Sequence, residues 1–378
     1  MSWEKRIALY KKIENHRKRP LIVFVTSKRE GAWAMMATDA LPCIIDQLDR
    51  IPARSRALDF MVVSFGGDPM VAWRIVSLIR QRMGKDGELA VLIPQSAYSA
   101  ATLIALGANE IIMHPNGHLG PVDMQITSFG ESGPRRFSTE DISAFLDFVR
   151  ENLKITDQEH VRALFEGTCK EVGSIGIGFT ARSSKLAIDL GERLLALHMK
   201  DDDTRLKLRS IVQNMSRKFQ SHAYPVNRTE ALDIGLPVNE RRDLTLERLM
   251  WRVWLDIEQD LKETVPFHPL FELLNSKEAK KLLSPVPQLL VPMPMSSGGH
   301  IQTNVDELIQ KSKPSIEPVD FQYVSAIVES SRKASAHITR GKILSCRNPN
   351  LVIHYSQVAV SQAWEKVRPA TKKARKKR

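Results

Sequence analysis

Short apolar runs alternate with helix-like segments through the first 115 residues, and this alternation limits the fold more than any other feature. Strands that are apolar along most of their length are buried on both faces of a sheet. Strands that alternate with helices pair in parallel through right-handed crossovers. We therefore expect an α/β protein with a mostly parallel sheet. The strand candidates are PLIVFVTS (20–27), ALDFMVVSFGG (57–67), ELAVLIP (88–94) and NEIIMHP (109–115).

The segments between these runs carry apolar residues at the three- to four-residue spacing of helices. ATDALPCIIDQLDRI (37–51), PMVAWRIVSLIRQRM (69–83) and SAATLIALGA (99–108) fill the gaps between the strands. Longer amphipathic stretches follow at 138–170, 183–220 and 244–261. After Pro266 the composition shifts to Pro, Ser and Met, which is typical of a linker.

These shifts predict five regions along the chain. We expect a helical and irregular C-terminal extension beyond the main α/β domain. The predicted regions are an N-terminal helical arm (1–19), the α/β domain (20–262), a Pro- and Ser-rich linker or arm (263–318), a small C-terminal region (319–367) and a basic tail (368–378).

The composition is that of an ordinary folded protein, with 43% hydrophobic and 26% charged residues. No run of about 18 apolar residues occurs, so we expect no transmembrane helix. The charged N-terminus lacks the apolar centre of a signal peptide. Cys43, Cys169 and Cys346 have no metal-ligand spacing, and their odd number favours a reducing, cytoplasmic location.

The net charge of +12 is concentrated at one end of the chain. Seven lysines and arginines lie in RPATKKARKKR (368–378), which leaves +5 for the other 367 residues. Such a run is typically solvated and attracts nucleic acid or acidic surfaces without specificity. The charge alone therefore does not indicate a nucleic-acid-binding protein.

Two predicted strand ends carry residues suited to acyl transfer. In parallel α/β sheets, ligands collect at the carboxyl ends of the strands. One strand ends in Gly66-Gly67, where the backbone can turn its N–H groups outward. Another leads through Ser96 to Ser99-Ala100 at a helix start, where backbone N–H groups lack partners. Ser99 is the candidate nucleophile, with the N–H groups of Gly67 and Ala100 as the oxyanion hole; Gly66 and Ser96 are candidate substrate-binding residues.

The sequence around these residues resembles the serine dehydrogenase proteinase family over roughly residues 20–245. This family belongs to the Clp-fold, crotonase-like serine peptidases, related to Clp protease and signal peptide peptidase A. The resemblance implies a repeated β-β-α spiral, a serine-type endopeptidase acting on polypeptides without a cofactor, and a homo-oligomer. The matching motifs are Gly66-Gly67, Ser99-Ala100-Ala101-Thr102-Leu103, Leu119-Gly120-Pro121-Val122-Asp123-Met124-Gln125 and Ser221-His222-Ala223-Tyr224-Pro225.

All four motifs depart from the family pattern at one or more positions; in the last of them Ala223 replaces an aspartate. Phe65 stands where the family has proline before the two glycines, and Ala101 replaces a glycine. Alanine keeps a small side chain but does not adopt a positive φ easily. The local geometry after Ser99 is therefore open.

The general base is the least certain assignment, because a serine nucleophile needs one. By position in the resembling motifs, His222 is the candidate base and Asp123 its orienting carboxylate. A serine–lysine pair with Lys154 or Lys170 is the alternative, although both lie among charged neighbours. His114 and His118 flank Pro-Asn-Gly and are interpreted as loop histidines, so no metal site is expected.

Two other functions compete with the peptidase. A crotonase-like enzyme binds acyl-thioesters with the same oxyanion geometry and needs no serine, and fold alone does not separate the two. A catalytically silent interaction protein would use the basic tail to bind nucleic acid. No Gly-x-Gly-x-x-Gly motif follows a strand, so no nucleotide cofactor is expected.

Overall fold

The structure is a computed structural model, which describes residues 3–84, 86–122, 126–130, 133–200, 204–217, 219, 221, 223–283, 316–347 and 352–367. The strands are β1 (Leu21–Thr26), β2 (Ala57–Val63), β3 (Glu88–Ile93), β4 (Ser96–Ala97), β5 (Glu110–Met113), β6 (His118–Leu119), β7 (Ile126–Gly130), β8 (Gly133–Phe137), β9 (Val319–Glu329), β10 (Ala334–Arg347) and β11 (Ile353–Lys366). The helices are α1 (Trp3–Arg17), α2 (Leu41–Asp49), α3 (Pro69–Met83), α4 (Ala100–Leu106), α5 (Thr139–Asp147), α6 (Gln158–Val172), α7 (Ser174–Leu195), α8 (Thr204–Arg217), α9 (Arg228–Ile234), α10 (Leu244–Leu261), α11 (Pro269–Leu274) and α12 (Ala279–Leu283). Short 3-10 and π helices cover Thr38–Ala40 and Phe148–Asn152.

The main sheet has seven strands in the order β11-β10-β9-β1-β2-β3-β5. The four predicted apolar runs form β1, β2, β3 and β5, and these strands pair in parallel. Small parallel strands β4 and β6 pair beside them, and β7 and β8 form an antiparallel hairpin. The predicted α/β fold with parallel strands is thereby confirmed.

Helices cover both faces of this sheet because alternate side chains of the strands point to opposite sides. Ile22 and Phe24 of β1 join a core with α2, α3, α4, α7 and α8. Val23 and Val25 join a second core with α1 and α10. Both cores are apolar, so β1 is buried on both faces and reads as a continuous hydrophobic run in the sequence.

The region 319–367 differs from the irregular extension expected from the sequence. It forms the long strands β9, β10 and β11, and β9 pairs antiparallel with β1, with Val23 opposite Glu329. These strands continue the main sheet on the open side of β1. Within the predicted linker, α11 and α12 are helical, and residues 284–315 lie outside the described residues. The region boundaries at 262 and 318 stay predictions.

Helix α1, the predicted arm, packs against α10 and the sheet. Its Arg6 side chain is fully buried and donates hydrogen bonds to Glu329 of β9 and to Asp256 and Asp260 of α10. Tyr10 donates its hydroxyl hydrogen to the same Glu329. This buried polar cluster joins the two ends of the chain.

Candidate active site

The two strand ends predicted to carry the chemistry lie side by side. Ser64, directly after β2, donates its N–H to the Ser96 carbonyl at 2.9 Å. The Tyr98 N–H donates to the Ser64 carbonyl at 3.0 Å. These backbone bonds bring the glycine turn that follows β2 against the segment that enters α4.

Ser99 has a backbone conformation that is unusual for a residue other than glycine. Its φ is 51° and its ψ is −115°, and holding such a conformation costs about 1–3 kcal/mol. It precedes α4, yet its side chain accepts no capping hydrogen bond. Ser138, which begins α5, has the ordinary φ of −116° and accepts a bond from the Asp141 N–H. Ser99 therefore differs from a capping serine, and its side chain is partly exposed.

The glycine turn packs directly against Ser99. A Cβ atom on Gly66 would lie 2.7 Å from the Ser99 Cβ and 3.1 Å from the Ala100 nitrogen. Gly66 and Gly67 have φ values of 100° and 146°, which L side chains rarely adopt. A Cβ on Gly67 would lie 2.2 Å from the Met36 carbonyl oxygen. Only glycine fits these two positions.

Several backbone N–H groups at the site have no acceptor among the residues that the structure describes. They include those of Gly67 and Ala100, the pair predicted to form the oxyanion hole, as well as those of Phe65 and Ser99. The Gly66 N–H, by contrast, donates to the Ser64 hydroxyl at 3.0 Å. Ala101 lies inside α4 and needs no positive φ, because the strained position is Ser99 itself. The alanine that replaces the family's glycine therefore causes no conflict.

The other predicted site residues lie in different settings. Ser96 is fully buried, and its hydroxyl donates to the side-chain oxygen of Gln95. Lys154 and Lys170 are exposed, Lys154 between the π helix and α6 and Lys170 near the end of α6. His222 and Asp123 lie outside the described residues.

His118 is a residue that the sequence analysis placed in a loop. It lies in β6, opposite Ser96, and its ring meets the Tyr98 ring edge-on with centroids 5.5 Å apart. Burial lowers the pKa of His118, the charge of Lys28 lowers it further, and the Asn116 carbonyl acts in the opposite direction. Nδ1 lies 3.2 Å from this carbonyl oxygen. If Nδ1 carries the proton, Nε2 is the acceptor.

His114, the second histidine of that turn, packs against a helix and not against the candidate site. Its ring stacks on Trp251 of α10 with centroids 4.9 Å apart. The pKa of His114 is lowered, chiefly by burial. Within the described ranges, no group of three or more His, Cys, Asp or Glu side chains is placed to hold a metal ion.

An exposed aromatic surface borders the glycine turn. Phe65 is 48% exposed and stacks on Tyr98 with centroids 5.1 Å apart. The Lys28 ammonium lies 5.5 Å above the centre of the Phe65 ring. The Phe65 ring is therefore open to solvent directly beside the glycine turn.

The fold and the serine–glycine site place this protein among the Clp-like α/β proteins. Residues 4–133 match the sequence profile of the ClpP-like SDH-type serine proteinase family. The match covers about a third of the chain and confirms that this segment resembles the serine dehydrogenase proteinases. It contains Ser99 and both glycines of the turn.

Two uncharacterized proteins of Methanocaldococcus jannaschii, MJ1495 and MJ0137, are similar to this chain. Each is 24% identical over 190 residues, which is 50% of this chain. The matched part covers 54% of the first relative and 56% of the second. The chain thus spans about half the length of the curated relatives that it matches.

Three solved structures give weak matches. Two are of the 1510-N membrane-bound stomatin-specific protease, as a serine-to-alanine mutant and as a lysine-to-alanine mutant in complex with a substrate peptide. They are 15% identical, with TM-scores of 0.25 and 0.24; they cover 60% and 62% of this chain and are themselves covered to 98%. A probable enoyl-CoA hydratase/isomerase from Mycobacterium abscessus is 11% identical with a TM-score of 0.20, over 52% of this chain and 87% of its own. These scores are too low to bear on fold or activity.

No helix in the described part of the chain combines the length and the apolar character that crossing a bilayer requires.

Proposed function

We propose that this protein is a serine endopeptidase and that Ser99 is its nucleophile. The observation that carries this proposal is the strained backbone of Ser99, which makes no capping bond and lies against a glycine turn. Strained backbone is concentrated at functional sites, where the surrounding structure holds it in place. The family of residues 4–133 supports the same chemistry.

Backbone N–H groups beside Ser99 would stabilise the negative charge that develops during the reaction. The Ser99 hydroxyl attacks the scissile carbonyl carbon, and the carbonyl oxygen becomes negatively charged in the tetrahedral intermediate. The N–H groups of Gly67 and Ala100 stabilise this oxyanion. Removing one such donor typically raises the barrier by about 2.7–4 kcal/mol.

The proton of Ser99 passes to a general base, which we assign to His222 with Asp123 as its orienting carboxylate. Catalytic triads are recognised by geometry and not by their order in the chain. Lys154 or Lys170 is the alternative base. Gly66 is assigned to substrate binding through its position against Ser99. Ser96 was also predicted to bind substrate, but its buried hydroxyl is bonded to Gln95, so we assign it only to support of the strand before the nucleophile.

The setting of the enzyme is part of the proposal. We assign it to the cytoplasm as a homo-oligomer that acts on polypeptides without a cofactor. The tail 368–378 makes non-specific contacts with nucleic acid or acidic surfaces.

Labelling by a fluorophosphonate tests the nucleophile directly. The full-length chain should be labelled at Ser99, and Ser99→Ala should abolish both labelling and peptide hydrolysis. Ser138→Ala is the matched control, because it removes a capping serine at about 1 kcal/mol of stability and should keep labelling and hydrolysis.

Two outcomes would contradict the proposal. Hydrolysis that persists in Ser99→Ala would make Ser99 structural. Binding of an acyl-thioester by a chain that the probe does not label would favour the crotonase-like alternative.

A further inference from the structure

A cavity of about 330 Å³ lies beside the glycine turn and takes no part in the chemistry proposed above. One wall is the segment 33–37, which runs along the turn: the Met36 N–H donates to the Gly66 carbonyl at 2.7 Å, and the Asp68 N–H donates to the Met36 carbonyl at 2.9 Å. Trp33, Met35 and Ala37 of this segment line the cavity. The segment 33–37 therefore lies between the cavity and the candidate oxyanion hole.

A hydrogen-bonded chain also connects the two places. Thr26 lines the cavity, and its hydroxyl lies 2.7 Å from the Ser64 hydroxyl. Ser64 in turn accepts the Gly66 N–H at 3.0 Å. An extended polypeptide covers about 3.3 Å per residue. A substrate bound at Ser99 that runs along the segment 33–37 would therefore place a side chain a few residues from the scissile bond at the cavity.

The opposite wall holds Ser325 hydrogen-bonded to His337, with Asp39 on the other side of the His337 ring. The Ser325 hydroxyl lies 2.7 Å from His337 Nδ1, and His337 Nε2 lies 3.7 Å from Asp39 Oδ2. The pairing of β9 with β10 shifts register between His337 and Ile338, and such bulges re-aim side chains. Ser325 is only 3% exposed, so a substrate carbonyl cannot reach it and the arrangement is no second nucleophilic site.

The charge of the cavity is opposite to that of the molecule. Asp39 is the only Asp, Glu, Lys or Arg among its described lining residues, although the chain carries a net charge of +12. The Asp39 side chain is 52% exposed and accepts a bond from Trp364 Nε1 at 2.9 Å. A cation can therefore approach this carboxylate from solvent.

Aromatic rings surround the carboxylate. Trp33, Tyr323 and Trp364 line the cavity, and Trp33 is 55% exposed. Cations are attracted to the faces of such rings. A guanidinium group both stacks on aromatic faces and donates hydrogen bonds to a carboxylate.

We propose that this cavity binds a basic side chain of the polypeptide substrate, arginine in preference to lysine, near the bond cleaved at Ser99. The proposal rests on the proposed peptidase function for its substrate. Binding in this cavity would make cleavage selective for polypeptides with a basic residue a few positions from the scissile bond.

Peptide binding to the full-length Ser99→Ala protein tests the cavity without turnover. Tryptophan fluorescence would follow two peptides that differ at one position, arginine in one and glutamine in the other, and carry no other charged side chain. We expect the arginine peptide to bind roughly tenfold more tightly, as a carboxylate and aromatic faces allow. Adding Asp39→Asn should remove this preference, and adding Gln362→Glu at the cavity wall should increase it.

Asp46→Asn is the matched control, because Asp46 lies on α2 outside the cavity and pairs with Arg50 and Lys333. It should keep the preference for arginine. Equal Kd values for the two peptides, or a preference that survives Asp39→Asn in a chain with an unchanged thermal midpoint, would overturn the proposal.

Hydrolysis by the parent chain separates this proposal from the peptidase proposal. Cleavage of both peptides with equal kcat/KM would keep the peptidase and reject the cavity as a specificity site. Selective binding by a chain that cleaves neither peptide would keep the basic-side-chain site and reject the peptidase.

Discussion

The strain at Ser99 is the residue-scale feature that sets this site apart from ordinary helix starts. A serine that only begins a helix gains a capping bond in an extended conformation, as Ser138 does. Ser99 forgoes that bond and has a positive φ. The neighbouring Gly66 leaves no room for a side chain at that point. The turn and the serine thus hold each other in place.

The pH profile of hydrolysis identifies the base. If His222 takes the proton from Ser99, kcat/KM should rise with an apparent pKa near the ordinary histidine value of about 6.5. His222→Ala should then lose activity about as completely as Ser99→Ala, because triad members act as a unit. The measurement is kcat/KM from pH 4 to 10 for the parent and for His222→Ala.

His118→Ala is the informative comparison in that experiment. Because the pKa of His118 is lowered, a profile governed by His118 would rise at a lower pH than one governed by an unperturbed histidine. If His222→Ala keeps near-parental activity and His118→Ala is inactive, the base is reassigned to His118. An alkaline limb that disappears in Lys154→Ala or Lys170→Ala would point to a lysine.

The sequence located part of this site and missed another part for a physical reason. Gly66 and Gly67 were predictable because they follow β2, and Ser99 because it lies between the apolar run of β3 and the helical pattern of α4. His118 was not, because β4 and β6 have two residues each, too few to show a period. Their pairing is set by the tertiary fold.

At the scale of elements, α1 is anchored by the buried charge of Arg6, which the spacing of apolar residues in the sequence does not reveal. Buried faces of helices are normally apolar, but the buried face of α1 includes Arg6 alongside Trp3, Tyr10 and Ile13. The sequence therefore predicted a polar arm. The carboxylates that neutralise Arg6 come from α10 and β9, more than 240 positions away.

Replacing Arg6 should destabilise the fold strongly. Arg6→Met leaves the fully buried Glu329 carboxylate without its cation, and breaking such a pair typically costs about 3–5 kcal/mol. Urea unfolding followed by circular dichroism measures this change. Arg162→Met, which removes an exposed pair with Glu166 on α6, is the control and should hardly shift the midpoint. Equal midpoints for the two variants would show that the cluster does not hold α1.

The strands β9 to β11 show what a sequence pattern omits. Runs such as β1 are buried on both faces and show as continuous apolar stretches. β11 is exposed along most of its length and carries polar residues at many positions, so its strand character depends on its partner β10. The helical linker pieces α11 and α12 were likewise too short to be recognised.

At the scale of the molecule, one sheet contains strands from both ends of the chain. A chain ended at residue 318 would lack β9, which pairs with β1 and supplies Glu329 to Arg6. We expect this shortened chain to aggregate or to unfold at a much lower temperature. A chain ended at residue 367 lacks only the basic tail and should keep the parental thermal midpoint. The soluble fraction and the melting curve of each measure the effect, and a stable, soluble 1–318 chain would show that the predicted boundary separates independent units.

The pairing of Val23 with Glu329 has a consequence for synthesis of the protein. β1 leaves the ribosome about 300 residues before its partner strand, and at roughly 5–20 residues per second this delay is about 15–60 s. During that time one edge of an apolar strand has no partner, which favours pairing with other chains. The yield of folded protein should therefore depend on how quickly the chain between β1 and β9 is translated.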